Sequence, residues 1–240
     1  MTIQDFPPSV KPLWGIVTRE TLAIVASSLL LPFGRMGSPR RTKRTKEQRT
    51  VVFVHGYLAN GSSFLPLRTY LLTRGIKSTL QFNYPAGIGI EQAAYELKAF
   101  LRAQVRGGRV DLVCHSLGGV IASVYIQMLG GARRIDRCIM LGSPLRGTYN
   151  AYWVPSRVGT ALRPDSVLLT RLEASRAMAA KVQYTSIVAG ADNIVIPRVF
   201  AAGHADMVHI PDIGHQSLLF SPTAFRAVAE RLMPHTKVSS

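Results

Sequence analysis

The stretch Val110-Asp111-Leu112-Val113-Cys114-His115-Ser116-Leu117-Gly118-Gly119-Val120-Ile121-Ala122 constrains the fold of this chain more than any other. An apolar strand breaks at one serine and continues, past two glycines, into a helix. On so sharp a strand-to-helix turn the Ser116 hydroxyl stands clear of the sheet edge. The amide of Leu117, in the first turn of the helix, points toward an anion forming beside it. The pattern G-x-S-x-G has its second glycine here as Gly118, while its first is replaced by Cys114. Glycine permits close approach of strand and helix and tolerates strain; a side chain of one sulfur is small enough to take its place.

A second apolar, β-branched run, Val51-Val52-Phe53-Val54-His55-Gly56-Tyr57, ends abruptly at a glycine and reads as a buried parallel strand. With it the chain resembles the α/β-hydrolases, and among them the small bacterial lipases and esterases, in which a strand ending in His-Gly-x leads into the loop that supplies an oxyanion amide. The resemblance assigns that amide to Tyr57. It continues through Ile139-Met140-Leu141-Gly142-Ser143-Pro144-Leu145, where the family usually has a histidine at the position of Leu145, and through Ile187-Val188-Ala189-Gly190-Ala191-Asp192. It ends at Met207-Val208-His209-Ile210-Pro211-Asp212-Ile213-Gly214-His215. A carboxylate just after a short apolar strand is where this fold carries its triad acid, so the implied order is Ser116, Asp192, His215. The likeness spans about residues 50 to 233.

Chemistry explains why these residue types are needed together. A serine hydroxyl is almost wholly protonated at neutral pH, so attack on a carbonyl needs a base within hydrogen-bond reach; an imidazole can take the proton and return it to the leaving alcohol. His215 is the expected base. Asp192 would hold its other ring nitrogen protonated, and the amides of Tyr57 and Leu117 would meet the oxyanion.

Each assignment has a competitor. Ser116 could be only a helix N-cap. His55 is expected to organise the oxyanion loop rather than to act as base, and His115 is expected to point away from the site. His204 and His209 rival His215 but read as strand or loop residues, while Asp206 and Asp212 rival Asp192 from the histidine's own segment. Arg146 reads as a solvated charge.

Short apolar runs near 51–55, 77–82, 110–114, 136–142, 184–189 and 206–210 predict six parallel strands, without the extra antiparallel strands of larger versions of the fold. Helices are predicted near 63–74, 91–105, 117–129, 166–180 and 222–232, the first closed by Gly75 and the last opened by Ser221-Pro222. The fold class is therefore α/β, one catalytic domain over residues 50–240, with no internal repeat. The insertion between Leu145 and Lys181 is a short cap, and its Tyr149, Tyr152 and Trp153 are candidate substrate-binding residues beside the plainer reading of loop packing.

The amino end, residues 1–49, is set apart. Leu13 to Phe33 is mostly apolar, but Arg19-Glu20 interrupts it and only the dozen residues from Leu22 to Phe33 are free of charge, fewer than the ~20 that span a bilayer. No small-residue cleavage site follows, which argues against a secretory signal. Seven lysines and arginines between 35 and 49 suit either the cytoplasmic flank of a membrane-inserted helix or an anionic membrane surface held through residues 13–49, beside the plainer reading of a helix packed on the domain and followed by a basic linker. The net charge of +16 falls only to +10 without that run, so the remainder is itself basic. No zinc-finger spacing, helix-turn-helix signature or aromatic-interleaved basic strand points to nucleic acid. Cys114 and Cys138 form neither a disulfide framework nor a metal site and suit a reducing, cytoplasmic setting on the inner face of a membrane. The expected activity is carboxylic ester hydrolysis through an acyl-enzyme, acting on ester or lipid substrates, with no cofactor and no metal. An acyltransferase or thioesterase on the same triad, or a silent membrane-associated fold, are the alternatives.

Overall fold

The computed structural model describes residues 12–35, 49–105, 107–201 and 206–233. Six strands, β1 (Thr50–Val54), β2 (Thr79–Phe82), β3 (Val110–His115), β4 (Ile135–Leu141), β5 (Gln183–Ala189) and β6 (Asp206–Ile210), form one sheet in the order β2-β1-β3-β4-β5-β6. Every neighbouring pair is parallel. The strands lie within two residues of the predicted apolar runs.

Period-two alternation assigns the side chains to the two faces. From β1, Val51 and Phe53 enter one core with α2 (Leu65–Thr73) and α7 (Pro222–Leu232), whereas Val52 and Val54 enter the other with α3 (Ile90–Gln104), α4 (Leu117–Met128), α5 (Arg157–Ala161) and α6 (Val167–Ala174). Both predicted caps form. Gly75, at φ +83°, donates to the Leu72 carbonyl and Ile76 to that of Leu71 after α2; the Ser221 side chain accepts from the Ala224 amide ahead of Pro222.

The predicted 166–180 helix is split: α6 ends at Ala174, and Arg176–Ala179 is a separate 3₁₀ turn. Ser175 at the break closes the turn, donating from its amide to the carbonyls of Arg171 and Leu172 and from its hydroxyl to Gln127.

The chain leaves β1 for the edge strand β2 and returns past β1 to β3, so the strand order reverses between β1 and β3. Ligands of open parallel sheets bind outside the carboxyl ends of the strands at such a switch point. The loop after β1 carries Gly56-Tyr57 and the turn after β3 carries Ser116, so both fall there.

Helix α1 (Leu13–Leu30) and the 3₁₀ turn Leu31–Arg35 pack across the same end of the sheet, against the 3₁₀ turns Gly61–Phe64 and Gln216–Phe220. Its inward residues are Ile16, Glu20 and Ala23, while Leu13, Trp14, Val17, Leu22, Ile24, Val25 and Leu29 are exposed. From Leu13 to Gly34 this segment is 22 residues of mean hydropathy 1.5, long and apolar enough to cross a membrane by length and composition. Most of the basic run, residues 36–48, lies outside the described residues. Arg49, its last member, pairs with Asp111 and Asp136 at the far end of the sheet from the site.

Candidate active site

Ser116 is the N-cap of α4 with φ 51° and ψ −123°, one of three non-glycine residues at positive φ among those described. Such a conformation costs on the order of 1–3 kcal/mol and persists only where its surroundings impose it. They do: the Ser116 amide donates to the Leu141 carbonyl at 2.9 Å and its carbonyl accepts from the Gly119 amide at 3.1 Å. Its side chain makes no capping hydrogen bond, so the N-cap competitor does not account for the hydroxyl.

The close approach behind the turn explains the two motif positions. A Cβ on Gly118 would stand 2.2 Å from the Val54 carbonyl oxygen and 2.7 Å from that of His55, so α4 crosses the end of β1 with backbone against backbone. Cys114 carries no such burden. Its side chain enters the α4 core with Leu117, Val120 and Ile121, where a sulfur fits.

Leu117 is the first residue of α4, and its amide has no acceptor within the helix. Across from it, Gly56 lies so near that a Cβ there would meet the Ser116 Cβ at 3.1 Å, which brings the backbone leading into Tyr57 to the serine. This loop is braced by His55, whose Nδ1–H donates to the Gly56 carbonyl at 2.9 Å while Nε2 accepts from the Tyr84 amide at 3.4 Å. The Tyr84 amide, as a donor to Nε2, demands the neutral ring. Burial drives His55 down to about 4 against the raising effect of the Gly56 bond, so it stays neutral at ordinary pH. Tyr84 stacks on this ring at 4.1 Å and donates its hydroxyl to the His55 carbonyl at 2.9 Å.

Beyond β5, the Asp192 carboxylate is buried. Its Oδ1 accepts from the Ile194 and Val195 amides, both at 2.8 Å, and its Oδ2 accepts from His215 Nδ1 at 2.8 Å. Burial alone would raise this carboxyl, but the His215 charge, its hydrogen bond and the two amides hold it below its ordinary value. Burial likewise opposes charging of His215; the charge and hydrogen bond of Asp192, joined by the charge of Glu20, outweigh it and set the imidazole above its ordinary value. The imidazole lies over Gly142, where a Cβ would meet Nδ1 at 3.0 Å and Cε1 at 3.1 Å. Gly142 directly follows Leu141, the residue that accepts the Ser116 amide. The imidazole and the serine therefore flank the same strand end.

The rival acid Asp206 is engaged elsewhere. Asp206 binds Arg231 through both oxygens at 2.8 Å and accepts from Thr185. Asp212 sits at φ 57° in the turn before the histidine, His209 lies on β6 with its ring against Gly190, and His204 lies outside the described residues. His115 differs from the expectation that it points away. Its ring packs at 4.9 Å from that of His215, and its Nε2–H donates to the His215 carbonyl at 3.3 Å. Alternation along β3 puts His115 on the same face as Val113, and that face is the one covered by Ile213, Leu218 and Leu219 of the histidine loop. Burial and the neighbouring His215 push His115 down to about 3, against its bond to the His215 carbonyl and the charge of Asp192.

The cap begins with the 3₁₀ turn Tyr149–Trp153, and Tyr149, Tyr152 and Trp153 are all exposed, Trp153 by 85%. Tyr152 donates to Asp165 at 2.9 Å and lies under Arg163. The turn is fastened to the acid loop by residues the sequence does not single out. Thr148 Oγ1 donates to the Ile194 carbonyl at 2.7 Å and accepts from the Ile196 amide at 3.0 Å, while Asn150 reaches the Asn193 carbonyl at 2.8 Å. Equally absent from a sequence reading is the role of Glu20, which enters the histidine loop from α1. Its only local signal is an acid inside an apolar helix. Among the described residues no cluster of metal-ligating side chains occurs.

A sequence profile of the alpha/beta hydrolases matches residues 88–161, the segment that holds the serine turn and the start of the cap. The fold is similar to that of the mature Bacillus licheniformis lipase BlEst2, with a TM-score of 0.68 and 15% identity over 82% of this chain and 97% of that one. It is also similar to Aspergillus fumigatus lipase B, with a TM-score of 0.66 and 14% identity over 80% of this chain and 54% of that one. Against the Legionella pneumophila phospholipase PlaB the TM-score is 0.51 with 17% identity, over 58% of this chain and 38% of that one. The chain has the α/β-hydrolase fold.

Proposed function

We propose that this hydrolase cleaves carboxylic esters of lipid-like or medium-chain acyl groups through an acyl-enzyme formed on Ser116. The observation that carries the reading is the buried Asp192–His215 pair at the strand end that also accepts the Ser116 amide. In this account His215 Nε2 takes the Ser116 proton as Oγ attacks the carbonyl, then gives it to the departing alcohol. Asp192 keeps Nδ1 protonated and stabilises the imidazolium without taking its proton. The amides of Tyr57 and Leu117 receive the oxyanion, worth on the order of 3 kcal/mol per donor. Water, activated by the same histidine, releases the acid. None of these steps calls on a cofactor.

Substrate reaches the serine past the exposed aromatic turn of Tyr149, Tyr152 and Trp153. The lipid character of the substrate is supported by α1, whose exposed apolar side borders the same end of the sheet, followed in sequence by the basic run of residues 35–49. Glu20 faces the protein, so α1 lies along the domain as an interfacial helix on anionic lipid rather than as a free span. On this reading residues 1–49 attach the protein to the cytoplasmic face of a membrane while residues 50–240 carry the reacting groups, and the basic balance serves lipid, not nucleic acid. The test is turnover of a series of p-nitrophenyl esters and of an emulsified glyceride by wild-type protein and Ser116→Ala. Loss of turnover by several orders of magnitude in a folded variant is expected; retained turnover would remove Ser116 from the mechanism.

A further inference from the structure

Glu20 is the one charged residue that α1 buries, and it is spent on the histidine loop. Oε1 accepts from the Gln216 amide at 2.7 Å; Oε2 accepts from the Ser217 amide at 3.0 Å and from the Ser217 hydroxyl at 2.7 Å. These are the two residues that follow His215. The residue that precedes it makes room: a Cβ on Gly214 would overlap the carboxylate, 2.2 Å from Oε2 and 2.5 Å from Cδ. The segment Gly214-His215-Gln216-Ser217 is thus shaped around a carboxylate borne almost two hundred residues earlier in the chain. A second bond, Gln216 Nε2 to Ser27 Oγ at 2.6 Å, ties the same loop to the next two turns of α1 without involving a charge.

An anchoring contact alone would not require an ion. Burying a carboxylate is expensive unless its oxygens are met by hydrogen bonds, and a neutral side chain could hold the helix here. A fixed negative charge at this place does something else: it sees the imidazolium that forms in each proton transfer. The groups facing His215 are Asp192 from the loop after β5, His115 from the end of β3 and Glu20 from α1. His115 stays neutral, so Glu20 is the second anion of the set.

We infer that Glu20 is a positioning residue for the catalytic base, fixing the backbone on either side of His215 and setting a second negative charge beside the histidine loop. The inference rests on the reading of His215 as base given above. It makes α1, the helix whose other side meets lipid in that reading, a working part of the site.

The experiment compares full-length wild-type protein with Glu20→Gln, which keeps the shape and removes the charge, and Ser27→Ala, which loosens α1 and leaves the charge. Three readouts are taken: kcat and KM on a soluble p-nitrophenyl ester across pH, the His215 titration by NMR, and Tm. For Glu20→Gln, kcat falls about tenfold with KM unchanged, the acid limb of kcat/KM moves to lower pH, and the His215 titration moves the same way. Ser27→Ala leaves the acid limb and the titration in place. The inference is overturned if Glu20→Gln loses activity only in step with Tm while the acid limb stays fixed, or if Ser27→Ala shifts the limb as far. Should Glu20→Gln not fold, Ser217→Ala, which removes one of the three bonds and retains the charge, takes its place. It must lower kcat without moving the acid limb, and unchanged kcat overturns the positioning role. A wild-type protein whose ester turnover survives Ser116→Ala would instead fail the functional reading. The NMR titration, which needs no turnover, still decides whether Glu20 acts on His215.

Discussion

Replacing Asp192 by asparagine tests its proposed role as the triad acid, because the structure dictates how the new amide must sit. Asp192 Oδ1 accepts two backbone amides, from Ile194 and Val195, both at 2.8 Å. Those donors leave the carbonyl oxygen of an asparagine no choice: it must keep the Oδ1 place, and the NH₂ must take the place of Oδ2, 2.8 Å from His215 Nδ1. A donor there forces Nδ1 to become an acceptor, so the ring proton moves to Nε2, the atom that has to receive the serine proton. The base is disabled with its geometry intact. In a serine protease where the same exchange was made the loss in kcat was about 10⁴, which corresponds to roughly 5.5 kcal/mol of barrier. We expect a loss of that order here. Steady-state hydrolysis of p-nitrophenyl butyrate by purified Asp192→Asn measures it, with circular dichroism to establish folding. A loss below tenfold, or a larger loss in Asp206→Asn or Asp212→Asn, would refute the assignment.

Two further outcomes follow from the same geometry. The kcat/KM profile should fall with acid along a single limb centred above 6.5, because His215 is raised while His55 and His115, near 4 and 3, do not titrate there; a limb at or below 6.5 contradicts this. Gly118→Ala forces α4 off β1, an overpacking cost of roughly 1–3 kcal/mol or more, read as a Tm lowered by several degrees; an unchanged Tm would mean that the contact at 2.2 Å relaxes freely.

What the sequence reveals, and what it hides, divides along the range of the interaction. The strands are legible because each is a short apolar run in a parallel sheet, the central β1 and β3 buried on both faces, and the serine turn is legible because strand, serine and Gly118 are neighbours in sequence. The order Ser116, Asp192, His215 follows from the family likeness. Three features escape. Glu20 reads locally as an interruption of an apolar helix, and only the fold reveals that it meets Gly214, Gln216 and Ser217. Thr148 is one hydroxyl among many until the acid loop closes on it. His115 is misjudged because nothing local shows that the face it shares with Val113 is covered by the histidine loop, a hundred residues later. In each case the deciding contact joins segments distant in sequence, where periodicity carries no information.

The most direct test of the central claim is to expose the folded protein to a fluorophosphonate and locate the adduct by peptide mass spectrometry. The account predicts a single phosphonylated serine, Ser116, with labelling abolished in Ser116→Ala and greatly slowed in Asp192→Asn. Labelling at another serine, or none in folded wild-type protein at a pH where His215 is neutral, would contradict it.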